Sequence, residues 1–210
     1  MQKQQAAQQL TVVNIDDPKS APLLSGKHVI TYGFSPRADV RISHVGDGAE
    51  RTFFTLEQRG TKLGEFTLKV PGIHNVTNAT AAIIASQSAG VSWDQIRDGL
   101  LTFVGTKRRF EKIGSAQNAV FYDDYAHHPA EIEATIAAAK RWYPNSRIIA
   151  VFQPHTYSRT KALLDEFSKS FDQAAISVIA DIYASARESD TLGITSETLV
   201  ERIAKRGRDV

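Results

Sequence analysis

The sequence predicts an α/β fold in two parts, and three observations predict it. From about residue 38 to 70, apolar and polar residues alternate with period two, the pattern of antiparallel strands buried on one face. Beyond about residue 108, short apolar runs alternate with longer helical stretches, which implies βαβ units and a parallel sheet. Between these patterns lies a break, Gly105 to Gly114, that contains the run Lys107-Arg108-Arg109-Phe110 and reads as a junction. The chain is therefore divided into residues 1–107, with an antiparallel piece at 38–70, and residues 108–210.

The elements follow in order. Residues 11–15 (TVVNI) read as a short buried strand, ended by Asp16-Asp17-Pro18, a turn or helix-start signal. Residues 28–32 (HVITY) form a second strand, stopped by Gly33. The meander comprises VRISHV, RTFFTLEQ and GEFTLKV, with breaks at 46–48 (GDG) and 59–64 (RGTKLG). Pro71-Gly72 ends it. A helix rich in small residues is expected over 77–89, with Gly90 as its stop. Ser92 to Gln95 fits a capping box for a helix reaching about Phe103. In the second part, strands are expected at 119–123, 147–152 and 176–180, and helices at 129–142, 161–171 and 196–205. The chain opens on a polar half-helix and stops after a helix that should lead into a strand, so both ends read as cut.

Composition narrows the function classes. The chain of 210 residues is 42% hydrophobic and 23% charged, ordinary for a globular protein. A net charge of +2 gives no basic field for nucleic acid or an anionic membrane surface. There is no cysteine, so disulfide scaffolds and thiolate metal sites are excluded. No apolar run approaches the ~20 residues of a membrane span, and the Gln-rich start MQKQQAAQQL has no signal-peptide core. A cytoplasmic location is expected.

Four stretches carry candidate chemistry. Asp123-Asp124-Tyr125-Ala126-His127-His128-Pro129 follows the first strand of the second part. In an open α/β sheet, ligands bind at the carboxyl ends of the strands. Adjacent strand residues point to opposite faces, so Asp123 and Asp124 do not act as a pair, and His127 and His128 converge poorly on one metal ion. The plainer reading is an acid and a histidine that cap a helix beginning at Pro129. Gln153 to Arg159 (QPHTYSR) follows the next strand, and in a parallel sheet both loops lie at one edge. Arg159 could hold a carboxylate or phosphate by two parallel hydrogen bonds, or be a solvated cation. His74-Asn75-Val76-Thr77-Asn78 enters a helix. Asn75 and Asn78 share a face and suit an adenine edge, although for Asn75 alone an ordinary N-cap is the simpler reading. Lys107 to Phe110 is either a solvated turn or a phosphate contact at the junction. Neither G-x-x-x-x-G-K-[ST] nor G-x-G-x-x-G occurs, so these 210 residues contain no phosphate-cradling glycine loop.

Taken together these stretches resemble the signatures of the Mur ligase family. They match G-x-HN-x-x-N-x-x-A (Gly72, His74, Asn75, Asn78, Ala81), G-x-x-RRF (Gly105 to Phe110), DDY-[AG]-HHP (Asp123 to Pro129) and FQPH-x-x-[ST]-R (Phe152 to Arg159). VVNIDDP at 12–18 is similar to the end of that family's central ATPase domain. The resemblance implies a C-terminal Rossmann-like parallel sheet with flanking helices, preceded by an incomplete central-domain piece with a small antiparallel β-subdomain. It implies ATP-dependent joining of L-alanine to UDP-N-acetylmuramate through an acyl phosphate, with magnesium bridging the phosphates.

By the same resemblance, Asn75 and Asn78 contact the adenine region and Arg109 reaches the ATP phosphates. Asp124 binds the ribose or helps close the C-terminal domain over ATP, and His127 and Arg159 meet the incoming alanine. Tyr125 and His155 are neighbours with weaker support. Thr156 stands where some members carry arginine, which leaves the carboxylate to Arg159 or another cation. The UDP-sugar domain, the P-loop and the magnesium ligands are expected outside these residues, so no metal ligand is assigned and the chain alone is expected to be inactive. Two other readings stay open. One is a metal-dependent phosphoesterase of the Asp-His-His type, although Tyr125 and Ala126 separate the acids from the histidines. The other is a non-catalytic remnant or interaction module.

Overall fold

The computed structural model describes residues 10–48, 50–186, 188 and 190–210. The chain divides into two compact units, Met1–Val104 and Gly105–Val210.

The first unit is a five-stranded mixed sheet in the order β1-β2-β3-β4-β5. Strands β1 (Thr11–Asn14) and β2 (Val29–Gly33) are parallel, joined by a 3-10 helix, Pro18–Ser25, that Asp17 caps by accepting the Lys19 N–H at 2.9 Å. β2 runs parallel to β3 (Val40–Gly48), which continues antiparallel into β4 (Arg51–Gln58) and β5 (Thr61–Leu68). The meander is as expected, but its breaks are shorter. Arg59 and Gly60, both at positive φ, close β4 onto β5 in a two-residue hairpin, so 61–64 belong to the strand. A register shift between Ser43 and Gly46 lets β3 run through 46–48. Period two fails at both places because the pairing continues where neither face is buried.

Alternation fills the core. Ile42, Phe54, Leu56, Phe66 and Leu68 are buried, and Phe54 pairs directly with Phe66, rings 5.6 Å apart. Helix α1 (Ile73–Ser88) supplies Val76 and Ile83 to the same core. It starts at Ile73, four residues before the expected 77, because Gly72 at φ +99° turns the chain directly from the strand into the helix. Asn75 therefore lies in the first turn and is not an N-cap. Helix α2 (Trp93–Thr102) has the expected capping box, with Ser92 Oγ accepting from the Gln95 N–H and Gln95 Oε1 from the Ser92 N–H.

The second unit begins with a hairpin. β6 (Glu111–Ala116) pairs antiparallel with β7 (Ala119–Asp123) across Gln117-Asn118, both at positive φ. β6 was not expected, because EKIGSA has no fully buried face. Helix α3 (Pro129–Trp142), strand β8 (Ile149–Phe152), helices α4 (Tyr157–Ala162) and α5 (Leu164–Ser170), strand β9 (Ile176–Ile179) and helix α6 (Ser196–Ala204) follow. β8 and β9 are parallel, a βαβ unit. β7 takes its ladder from β6 and shares none with β8, which corrects the expectation of three parallel strands in one ladder. The single helix expected at 161–171 is two, starting earlier and bent at Leu163 (φ −117°). Ile132, Ile136, Phe152, Phe167, Phe171, Leu199 and Ile203 form the core. Among the described residues, no helix is long and apolar enough to cross a membrane.

Candidate functional site

The Asp124–Pro129 loop is assembled around two carboxylates. Asp124 accepts the Phe110 N–H at 2.8 Å and the Ala126 N–H at 2.7 Å, so it ties its own loop to the segment carrying Arg109. The Tyr125 N–H donates back to Arg108 O at 2.8 Å. The Arg108 guanidinium lies 4.8 Å from the centre of the Tyr125 ring and 3.5 Å from Asp123. Two residues along, Phe110 is set among aromatic rings, 4.3 Å from Tyr122 and edge-on to Trp142 at 5.8 Å. Arg109 is thus flanked by two anchored residues while its own side chain stays 52% exposed.

Glu131, an acid well placed at the positive end of the helix that Pro129 starts, is the second carboxylate. It accepts the His127 N–H at 3.0 Å and the His128 N–H at 3.3 Å in the first turn of α3, and lies 3.8 Å from Arg109. Burial alone would raise its carboxyl. The His127 N–H and charge, the His128 N–H and the Arg109 charge outweigh burial and hold it below the usual glutamate value. The His127 ring has Nδ1 3.0 Å from Tyr125 O and 3.3 Å from Glu131 Oε2. Both neighbours only accept, which places the proton on Nδ1 and leaves Nε2 to act on a ligand.

The second loop follows β8. Thr156, the departure noted in the sequence, is the N-cap of α4: its Oγ1 accepts the Arg159 N–H at 3.4 Å. The half-buried Arg159 guanidinium donates to His155 O at 3.0 Å and forms no ion pair with any described residue. A third loop, after β9, was missed in the sequence. The Tyr183 N–H donates to Pro154 O at 2.8 Å, and the Tyr183 ring stacks on His155 at 5.5 Å. Glu188 accepts the Tyr157 N–H at 2.9 Å, the Ser158 N–H at 3.0 Å and the Ser158 hydroxyl at 2.5 Å. The Ser158 hydroxyl foremost, helped by these N–H groups and Thr156 against a smaller burial effect, lowers the Glu188 carboxyl to about 2. Its sequence signal was an acid following the strand ISVI, in DIYASARE, a weak one without a partner in view.

Asn75 and Asn78 belong to the first unit. The Asn75 amide donates to Pro71 O at 2.7 Å, and no described residue donates to its carbonyl oxygen. The Asn78 side chain is exposed and makes no hydrogen bond to any described residue. The structure thus gathers Arg109, Asp124 and His127 with Glu131, and His155 and Arg159 with Glu188. No hydrogen bond or ion pair among the described residues joins these two groups. Among the described residues, no three His, Asp or Glu side chains converge as a metal-holding group.

Comparison with known proteins gives a consistent result. The family model of the Mur ligase middle domain matches residues 1–86, and that of the Mur ligase, glutamate ligase domain matches residues 108–210. A UDP-N-acetylmuramate–L-alanine ligase of Salinibacter ruber is 44% identical over 198 residues, 93% of this chain and 42% of that protein. One from Caldanaerobacter subterraneus is 46% identical over 198 residues, 93% of this chain and 43% of that protein. The crystal structure of the UDP-N-acetylmuramate–alanine ligase of Thermotoga maritima superposes with a TM-score of 0.79 at 27% identity, over 95% of this chain and 42% of that one. The chain spans less than half the length of these relatives.

Proposed function

Because the chain belongs to the Mur ligase family, we propose that it supplies the amino-acid-side and adenosine-side residues of an ATP-dependent ligase that joins L-alanine to UDP-N-acetylmuramate in peptidoglycan synthesis. The observation that carries this reading is Arg159. It is a half-buried guanidinium, oriented by a backbone carbonyl, with no carboxylate of its own among the described residues. Such a group is prepared for a ligand carboxylate, which it can grip through two parallel N–H donors.

The remaining roles follow from the same chemistry. ATP transfers its γ-phosphoryl group to the lactyl carboxylate and leaves as ADP, and the amine of L-alanine attacks the resulting acyl phosphate and displaces inorganic phosphate. His127, with Nδ1 protonated, offers Nε2 to the ammonium of alanine and takes the proton the amine must lose before attack. Arg109 faces the phosphates, and Asp124 holds the backbone beside it so that the cation needs little reorganisation as charge develops. Asn78, with its amide open, and Asn75, with its carbonyl oxygen open, meet the adenine edge. Magnesium, when bound, would supply positive charge against the charge developing on the phosphates. Its ligands and the triphosphate cradle are expected outside these residues, whose sequence has no glycine-rich phosphate loop.

Titration calorimetry tests the reading. The chain is expected to bind adenosine nucleotide weakly, and Asn78→Ala to abolish the heat. Indifference of the parent chain to nucleotide and to L-alanine alike would overturn the assignment. The phosphoesterase alternative predicts stoichiometric manganese or zinc that is lost in His127→Ala. The described residues supply no cluster to hold such an ion.

A further inference from the structure

We propose that Glu188 is a positioning residue: it clamps the first turn of α4 to the loop after β9 and thereby holds Arg159 ready for the substrate carboxylate. The inference deepens the reading of Arg159 given above and rests on it.

The geometry is specific. Glu188 lies 30 residues from Ser158 and 31 from Tyr157, yet each of its carboxylate oxygens meets one backbone N–H of the residues immediately before Arg159. The Ser158 hydroxyl adds a third donor to Oε1. Those donors sit in a turn that also contains the Thr156 cap and the Arg159 guanidinium-to-His155 carbonyl bond. Lys161 repeats the tie one turn later, donating from Nζ to Leu192 O at 2.8 Å. At the other end of the same pair of loops, Gln153 reaches Asp181 O at 3.3 Å and Tyr183 N–H reaches Pro154 O. The two loops are therefore laced along their length, and among the described residues Glu188 supplies the one carboxylate side chain in that lacing.

The consequence for function concerns entropy. α4 has six residues, too few to hold its own shape. An arginine on a frayed turn must be ordered by its ligand, at a cost of roughly 0.5–1.5 kcal/mol for a long side chain, which is about two- to tenfold in affinity. A carboxylate that satisfies two amides of that turn removes this cost before the ligand arrives. It does so without touching the ligand, because its oxygens are already engaged.

The test uses the 210-residue chain with nitrogen-15 label, L-alanine as the probe, and the Arg159 Nε–H resonance as the readout. In Glu188→Ala, that resonance is expected to lose its slow exchange and its dispersion while the Leu199 and Ile203 methyls in the core stay in place. The alanine response should weaken about two- to tenfold. Glu188→Gln keeps one acceptor oxygen and should fall between the two. A general structural role would instead lower the melting temperature and leave Arg159 unchanged. An Arg159 signal in Glu188→Ala that matches the parent overturns the proposal. If alanine moves no Arg159 resonance even in the parent while Glu188→Ala still frees the side chain, the carboxylate role of Arg159 fails and the clamp stands. Should Glu188→Ala not fold, Glu188→Gln decides by the same resonance: an intermediate supports the clamp, and identity with the parent rejects it.

Discussion

At the scale of single residues, the proposed chemistry rests on side chains that are aimed but not spent. Arg159 is oriented by a carbonyl, the Asn78 side chain bonds no described residue and His127 offers one nitrogen. Arg159→Lys keeps the charge but loses the planar fork, so L-alanine binding should fall about tenfold in calorimetry, and Arg159→Ala should remove it. Asp124 is the opposite case. Its two backbone donors make it a tie, and Asp124→Ala leaves two half-buried N–H groups short of an acceptor. A cost of about 2–3 kcal/mol is expected, read as a fall of roughly 10 °C or more in the melting temperature of the second unit. Motif spacing in the sequence singled out Asn78, His127 and Arg159 as candidates. The long ties of the two acids were not legible, because Asp124 reaches Phe110 across 14 residues and Glu188 reaches Ser158 across 30, beyond the reach of local pattern.

At the scale of elements, hydrophobic alternation and caps were readable and irregularities were not. The capping box before α2 and the proline start of α3 appear where the residues demand them. The β6 strand was hidden because it is paired yet exposed, and the start of α1 was hidden because Gly72 turns the chain without a side-chain cap. The buried pair of Phe54 and Phe66 is the centre of the first unit, and Phe54→Ala should cost about 3–5 kcal/mol in urea unfolding with the m-value unchanged. The lacing of α4 should depend on acidity in a defined sense. Folding lowers the Glu188 carboxyl from 4.5 to about 2, so its contribution is complete above 4.5 and is lost as pH falls toward 2. Proton exchange at the Tyr157 and Ser158 amides should accelerate across that window, relative to core amides of β9, and Glu188→Gln should abolish the step.

At the scale of the whole molecule, two units each carry their own core, and the α/β class with its antiparallel meander was written in periodicity alone. The expectation of three parallel strands in one ladder was too simple, since β7 finds its partner in β6. In solution the 210-residue chain is expected to show no alanine-dependent release of phosphate from ATP, because its sequence contains no glycine loop to grip the triphosphate. A measurable alanine-dependent rate would reject that. One feature of the second unit bears on how such a chain could be divided or recombined. Arg108 O receives Tyr125, Phe110 N–H rests on Asp124, and the Phe110 ring lies among Tyr122 and Trp142. The arginine between them is therefore inherited with the second unit. A gene fusion or protease cut ahead of Gly105 would pass it on intact, whereas one placed after Arg109 would leave the aromatic shelf and its aspartate behind with nothing to present.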